Sequence, residues 1–365
     1  MLSSDMKLIL VVGGTGGVGK LISREIIRLF GPGSLIVGDY KMERAEKFAG
    51  SLEGQVVSRY VDVHDRESIS KALKEIHAVI VAARQKDPIV QSICMEHQVP
   101  CLDITAYPEF VAKVQALNSQ ALSSQTPLIM MAGLFPGLSG IMAKEAAQRL
   151  DQVSSIDVGL MQSTQGSVGA TGLADMLDWF SQPVIFRKEG KQHFMPGFSM
   201  KRSFIYPDIF GEQKQRLVSF HEASVVSEKL AVSDVNYWTS FDQASFNLLL
   251  SFLKKTGFLK LFHFQTTRMK LGKMLNFIKS AAKPKSETIA VTVEVSGRKE
   301  GTPHDSQISI IGPSDYGATA MSAVAMTKLL LQKRVTCKGV CFPLEVFPLD
   351  LLVETMDCND IKLLY

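Results

Sequence analysis

The stretch from Lys7 to Gly19, KLILVVGGTGGVG, decides how the chain is read. Leu8-Ile9-Leu10-Val11-Val12 has the length and composition of a parallel strand buried on both faces. Gly14, Gly16 and Gly19 follow at G-x-G-x-x-G spacing, and Lys20 to Phe30 places Leu21, Ile22, Ile26, Ile27 and Leu29 at helical intervals. Strand, glycine turn and helix in that order predict a dinucleotide-binding unit. Gly14 is expected to permit the tight turn, Gly16 to let backbone approach a pyrophosphate, and Gly19 to let helix press on strand. Gly14, Thr15, Gly16, Gly17, Val18 and Gly19 then form the cradle, where backbone N–H groups and the helix dipole attract phosphate.

Because three glycines are a weak signal alone, the next strand matters. Ser34-Leu35-Ile36-Val37-Gly38 ends at Asp39, an acid about 20 residues past the turn, where a ribose 2′-hydroxyl is held. Its carboxylate repels a 2′-phosphate and so favours NAD. Lys41 and Arg44 lie just beyond and could accommodate that phosphate, which keeps NADP open. The competing role of Asp39 is to cap the helix that begins near Met42.

The same alternation continues to about Ala132. Strands are expected near Gln55–Val61, Ala78–Ala83, Pro100–Ile104 and Leu128–Ala132. Helices are expected at Met42–Ser51, Ser68–Ile76, Ile89–His97 and Pro108–Ser123. That makes six strands of a doubly wound parallel sheet. After Asp151 the runs alternate polar with apolar: Ile156–Met161, Ser199–Ile205, Val235–Phe241, then Ile289–Ser296 and Gln307–Ile311 around a hairpin connection, Gly297 to Gly301. This predicts an antiparallel sheet with helices on one face. The fold class is therefore α/β, a Rossmann-type doubly wound parallel sheet plus an inserted α+β domain. The expected division is a dinucleotide domain over 1–135, an α+β substrate and dimerisation domain over 136–312, and a C-terminal return over 313–365. Small residues Ala318, Ala320, Ala323 and Ala325 suit a closely packed helix, and the tail to Tyr365 is expected against the first domain.

Length and composition bound the function. At 365 residues with 46% hydrophobic and 21% charged residues, the chain has apolar surface for two cores. A net charge of +4 argues against a dedicated nucleic-acid binder. Five scattered cysteines predict reduced thiols and a cytoplasmic location; Cys337 and Cys341 have no second Cys or His pair to complete a metal site. The chain enters a strand at once, which predicts no signal peptide, and no apolar run reaches the ~18 residues of a spanning helix. One segment stands apart. From Gln243 to Ser286 there is no acid but nine Lys or Arg, among Phe246, Leu248, Phe252, Phe258 and Phe262. Such a stretch (243–286) can lie on an anionic membrane or be a helical subdomain with solvated lysines.

These residues resemble the saccharopine dehydrogenase-like oxidoreductases, the group containing saccharopine reductase and lysine dehydrogenase. The resemblance rests on Gly13 to Gly19, on Val61-Asp62-Val63 with Asp65, and on Ala78–Ala83 leading to Cys101-Leu102-Asp103. It also rests on Gly133-Leu134-Phe135-Pro136-Gly137-Leu138, Tyr316–Ala320, and Gly339-Val340 with Pro343-Leu344-Glu345. It is poor over about 162–285. It implies an NAD(P)-dependent oxidoreductase transferring a hydride to or from an amine, imine or carbonyl. It further implies a second domain inserted before the last elements of the first, a ligand cleft between them, and a homodimer. By the same resemblance Asp62 and Val63 cover adenine, and Asp103 falls at a substrate-contacting position.

Ala82, Ala83 and Arg84 end the fourth strand beside the switch point, where ligands sit in such sheets. Arg84 could fork onto a substrate carboxylate. Asp103 and Thr105 end the next strand, and a carboxylate there suits an amine or iminium, with helix capping as the competing role. Arg187 and Arg202 could add a second carboxylate clamp. The glycine-rich loop Gln165–Gly172 could approach a ligand. No catalytic acid or base stands out: His64, His97, His193, His221, His263 and His304 lie in ordinary contexts. The alternative class is a non-catalytic nucleotide-binding or membrane-associated protein that keeps the fold. A short-chain-type reductase is disfavoured, because Tyr60, Tyr107 and Tyr206 have no Lys four residues on, and Tyr40 is followed by Arg44.

Overall fold

In the computed structural model, which describes residues 6–163, 180, 182–207, 210–256 and 287–365, strand β1 (Ile9–Val12) is fully enclosed, every side chain 0–1% exposed. That follows from its uninterrupted branched and apolar composition, since a central parallel strand meets helices on both faces. Helix α1 (Gly17–Phe30) turns Ile22 and Ile26 onto it, four residues apart on one face. Burying each such side chain contributes about 2–3 kcal/mol.

The chain then alternates: β2 (Leu35–Asp39), α2 (Met42–Ala49), β3 (Val57–Tyr60), α3 (Arg66–Ala72), β4 (Ala78–Val81), α4 (Ile89–Glu96) and β5 (Cys101–Asp103). The helix expected over 108–123 is two, α5 (Pro108–Gln115) and α6 (Asn118–Ser123), leading to β6 (Pro127–Met130). The sheet has seven strands rather than six, ordered β3-β2-β1-β4-β5-β6 with a C-terminal strand, residues Gly339–Cys341, added beside β6. Every pairing is parallel. The order reverses between β1 and β4, which creates the crevice at their carboxyl ends. A three-residue strand carries too little periodic signal to be seen in sequence; neighbouring β6 supplies its pairing.

Two compact units divide the chain: residues 1–141 with 316–357, and residues 142–315 with 358–365. In the first, a long returning helix (Asp315–Leu331) sets Ala320, Ala323 and Val324 against Ile9, Val11, Ile22 and Ile80. Small side chains there let a helix approach closely. The turn Gly133–Gly137, with a cis Phe135–Pro136 bond, leads into α7 (Leu138–Ala147), and the Leu134 N–H donates to Thr319 Oγ1 at 3.4 Å.

The second unit contains β7 (Gln152–Gln162), β8 (Pro183–Lys188), β9 (Lys191–Pro196), β10 (Lys201–Tyr206), β11 (Gly211–Val218), β12 (Asp234–Phe241), β13 (Ile289–Lys299) and β14 (Thr302–Gly312). Its seven-stranded sheet is mixed, not purely antiparallel as expected: β12 runs parallel to β7, and the other pairings are antiparallel. Helix α8 (Glu222–Leu230) between β11 and β12, and the long excursion from β7, permit the parallel pair. The β8–β9 hairpin and β11 have no counterpart among the predicted strands. Hairpin β8–β9 turns through Glu189–Gly190 and β13–β14 through Glu300–Gly301, all four residues at positive φ, the geometry that matches strand twist. Lys362–Leu364 pairs with β14, so the end of the tail lies in the second sheet rather than on the first unit. Hydrogen bonding to an open sheet edge decided that placement, and three residues give it no sequence signature.

On one face of this sheet Phe204, Tyr206, Trp238 and Met161 form a core flanked by Phe186 and Met195 of the hairpin. Arg202 spans Asp157 and Glu294, 2.7 Å to the latter, so it is committed to two carboxylates and not free to clamp a ligand. The Gln165–Gly172 loop, His263 and the greater part of the basic segment (257–286) lie outside the described residues. Among the described residues no helix is long and apolar enough to cross a membrane, and no cluster of three His, Cys, Asp or Glu could hold a metal.

Candidate dinucleotide cleft

The turn after β1 is governed by Gly13, Gly16 and Gly19, a register one residue earlier at its start than the G-x-G-x-x-G reading. Gly13 takes φ +78°, and a Cβ on it would lie 2.8 Å from the Ala82 carbonyl oxygen. Gly13, not Gly14, is therefore the residue the turn demands. Gly19 is more confined still: its Cβ would stand 2.1 Å from the Gly13 carbonyl oxygen. Gly14 is buried and faces Val37 and Val11 behind the turn. The signal was present in the sequence, since GGTGGVG contains both spacings, and only the backbone distinguishes them.

Both Gly13 and Gly14 amides donate to the Gly38 carbonyl at 2.9 Å, which locks the turn to β2. The Gly16 amide donates to Gly13, and the first helical bond runs from Lys20 to Gly16 at 3.0 Å. The intervening amides of Gly17, Val18 and Gly19 open the helix, with exposed glycine at 16 and 17 and no acid in the first turn. That end attracts anions.

A cleft of about 410 Å³ opens from this turn. Gly13 and Gly16 form one wall, Asp39, Tyr40 and Arg44 another, Asp62, Val63 and His64 a third, and Ala82, Ala83 and Arg84 close it at the β4 end. Four consecutive carboxyl ends of the sheet thus converge on one cavity, as the order reversal requires.

Asp39 is 3% exposed. It accepts hydrogen bonds from the Thr15 hydroxyl, from the Lys41 N–H at 3.0 Å and from Arg44 Nη2 at 2.7 Å. Burial alone would raise its pKa, but these donors together hold it below the ordinary value. Arg44, half exposed, has its guanidinium 5.2 Å from the Tyr40 ring, and Lys41 Nζ lies 5.6 Å from the same ring. Asp62 accepts the His64 N–H at 2.9 Å, and its own N–H donates to Ser68 Oγ at 3.0 Å, an arrangement that shapes the β3 exit.

Asp103 is not presented to a ligand. It is fully enclosed at the end of β5, with Oδ2 accepting from Gln85 Nε2 (2.9 Å) and Gln91 Nε2 (2.8 Å) and Oδ1 from the Thr105 N–H (2.7 Å). Burial drives its pKa up to about 6 against those hydrogen bonds. A carboxylate so surrounded has no open lone pair for a substrate amine. Thr105 is likewise buried, and Arg84 instead stacks on Tyr107, 4.6 Å from the ring centroid. Gln85, Gln91 and Tyr107 are the partners that sequence reasoning passed over, since amides and a lone Tyr carry no motif. His77 is another: its Nδ1 accepts the Leu8 N–H at 3.1 Å and fastens the start of β1.

Residues 9–129 match the family model described as the saccharopine dehydrogenase NADP binding domain. The nucleotide-binding unit is saccharopine dehydrogenase-like. Among solved structures, the chain is similar to apo saccharopine dehydrogenase (L-Glu forming) from Saccharomyces cerevisiae. The TM-score is 0.68 at 13% identity, covering 98% of this chain and 100% of that one. It is also similar to C. glutamicum DAP dehydrogenase in complex with DAP, with TM-score 0.50 at 13% identity, covering 98% and 99%. At such identity these likenesses establish the fold. A sequence comparison with curated proteins finds no match.

Proposed function

We propose that the protein is an NAD(P)-dependent oxidoreductase that moves a hydride to or from an amine, imine or carbonyl carbon. The cleft itself carries this reading: a helix amino end stripped of side chains stands at one side of a cavity whose opposite side holds a buried acid. A nicotinamide dinucleotide, when bound, supplies the hydride chemistry. The chain's own residues would bind and orient it. Amides of residues 17–19 take the pyrophosphate beside the bare Gly16 backbone, Asp39 the ribose, Asp62 and Val63 the adenine side, and Ala82 and Ala83 the approach to the nicotinamide. Arg84 makes no ion pair among the described residues and is held flat by Tyr107, which suits a substrate carboxylate.

Cofactor choice turns on the Asp39–Arg44 pair. Asp39 keeps its ribose-binding oxygen beside Thr15, while Arg44 on the Tyr40 ring, with Lys41, can turn to a 2′-phosphate. The reading is an enzyme that accepts both cofactors, with NAD the better. Calorimetry with NADH and NADPH at millimolar concentration tests it; absence of binding by both would end the proposal. A cytoplasmic homodimer is the assembly this reading expects, and sedimentation equilibrium reports its mass.

A second reading is favoured by α9 (Ala244–Lys255), whose Leu248 and Phe252 are 70% and 63% exposed one turn apart. With the acid-free sequence that follows, this helix face would rest on an anionic bilayer. Co-sedimentation with phosphatidylserine vesicles but not with neutral ones supports it, and equal recovery on both removes it.

A further inference from the structure

The buried carboxylate at the end of β5 lies at the junction of two loops that meet above it. Its Oδ2 holds the side chain of Gln85, the residue directly after Arg84, and also that of Gln91 on α4. Its Oδ1 holds the N–H of Thr105, two residues before Tyr107, and the Thr105 hydroxyl donates as well. Arg84 and Tyr107 then stack on one another at the β4 end of the cleft. We propose that Asp103 is a positioning residue: one enclosed carboxylate fastens both loops and so holds Ala83, on the cofactor's side, and the Arg84 guanidinium, backed by Tyr107, in place at the cleft wall. The inference rests on the reading of that cleft as a cofactor site.

The glutamines make the arrangement sensitive to the carboxyl's charge. Each turns an amide N–H toward Oδ2, and the carbonyl oxygens of both are buried without a hydrogen-bond partner among the described residues. An ionised carboxylate orients both amides the same way, because it can only accept. Once a proton resides on Oδ2, that oxygen becomes a donor. One amide must then rotate to offer its oxygen, which loosens its hold on the loop it anchors. Gln85, Gln91 and Thr105 are neutral, and the Cys101 thiol is the other titratable group facing the carboxyl. Burial raises the carboxyl to about 6, so the change falls just below neutral pH.

The test uses the full chain and two readouts. Without cofactor, hydrogen exchange over residues 83–88 and 105–108 is compared for wild type and Asp103→Asn, after correction for intrinsic rates. The variant is expected to exchange at least about fivefold faster there with its unfolding midpoint little changed. With NADH as probe, affinity is followed from pH 5 to 8 in a His64→Gln background, since His64 lines the same cleft. The parent should lose affinity below pH 6. The Asp103→Asn form should bind about tenfold more weakly at pH 7.5, comparable to losing a hydrogen bond to a charged group, and show no such loss. Unchanged exchange overturns the inference, as does weaker binding with the parent's pH profile, which would mark a merely structural role. Should Asp103→Asn fail to fold, Gln85→Met must accelerate exchange over 83–88, and wild-type exchange in it overturns the inference. Failure of wild type to bind cofactor rejects the cofactor reading and leaves the exchange result to decide this one.

Discussion

The Thr15 hydroxyl donates to the Asp39 carboxylate, joining the turn that would receive phosphate to the acid that would receive ribose. Residue 15 belongs to the β1–α1 turn and residue 39 to the end of β2, so one hydrogen bond sets the spacing of two halves of a dinucleotide site. The same carboxylate holds Arg44, which leaves the cation most suited to a 2′-phosphate directly beside the acid that would repel one.

Replacing Asp39 with Ala should separate the two cofactors. NAD affinity is expected to fall by about tenfold or more, the scale of a hydrogen bond to a charged group, while NADP affinity changes little. Arg44→Ala should do the reverse, since it removes the guanidinium and leaves the acid. Calorimetric Kd values for both cofactors check the pair, and equal losses would remove Asp39 and Arg44 as discriminators.

Gly19→Ala should damage the fold as well as the site. The new methyl would meet the Gly13 carbonyl oxygen, a backbone atom fixed through the turn's bonds to Gly38. Overpacking of this kind costs about 1–3 kcal/mol, and the turn must open to relieve it. Urea denaturation should show a lower midpoint, and cofactor binding should weaken in the folded fraction.

The second unit should impose its own pH dependence through Asp157. Burial raises this carboxyl to about 6, against the attraction of Arg202 and the Trp238 indole N–H bond at 2.7 Å. Its folded-state pKa therefore lies above the unfolded value near 3.8, so the folded chain holds more protons between roughly pH 4 and 6. The contribution of this group to stability thus falls as pH rises through that window and levels off above it. Asp39 acts in the opposite sense, its depressed pKa adding stability that is lost at low pH. Comparing unfolding midpoints at pH 4.5 and 7 for wild type and Asp157→Asn isolates the first effect; the difference between the two pH values should change in the variant by the Asp157 share.

Glu300 sits at φ +50° in the two-residue β13–β14 turn, ahead of Gly301 at φ +78°. An L-side chain with no local hydrogen-bonding habit costs about 1 kcal/mol there. Glu300→Asn should raise stability by about 0.5–1 kcal/mol, since Asn-Gly is the preferred pair for this turn. A thermal scan showing no rise in Tm would contradict that geometry.

Most of the first sheet was legible in the order of its residues. Runs such as Ile9–Val12 and Ala78–Val81 are apolar throughout because both faces are covered, and Asp39 follows the glycines at the distance a βαβ unit requires. Hairpins β8–β9 and β11 were not legible, because Lys, Gln and Glu fill exposed strand positions and blur the alternation.

By itself, then, the order of residues determined an α/β nucleotide-binding unit, its glycine turn and its acid, since local spacing alone sets which backbone can turn and which strand is buried. The tertiary structure decided that Gly13 rather than Gly14 takes the turn, that Arg202 is bound to Asp157 and Glu294, and that Asp103 faces inward. Each of those depends on what lies across space: the Ala82 carbonyl, two carboxylates from other strands, and the amides of Gln85 and Gln91. Such partners are 12 to 92 residues away in sequence, and no period or motif in the chain records them.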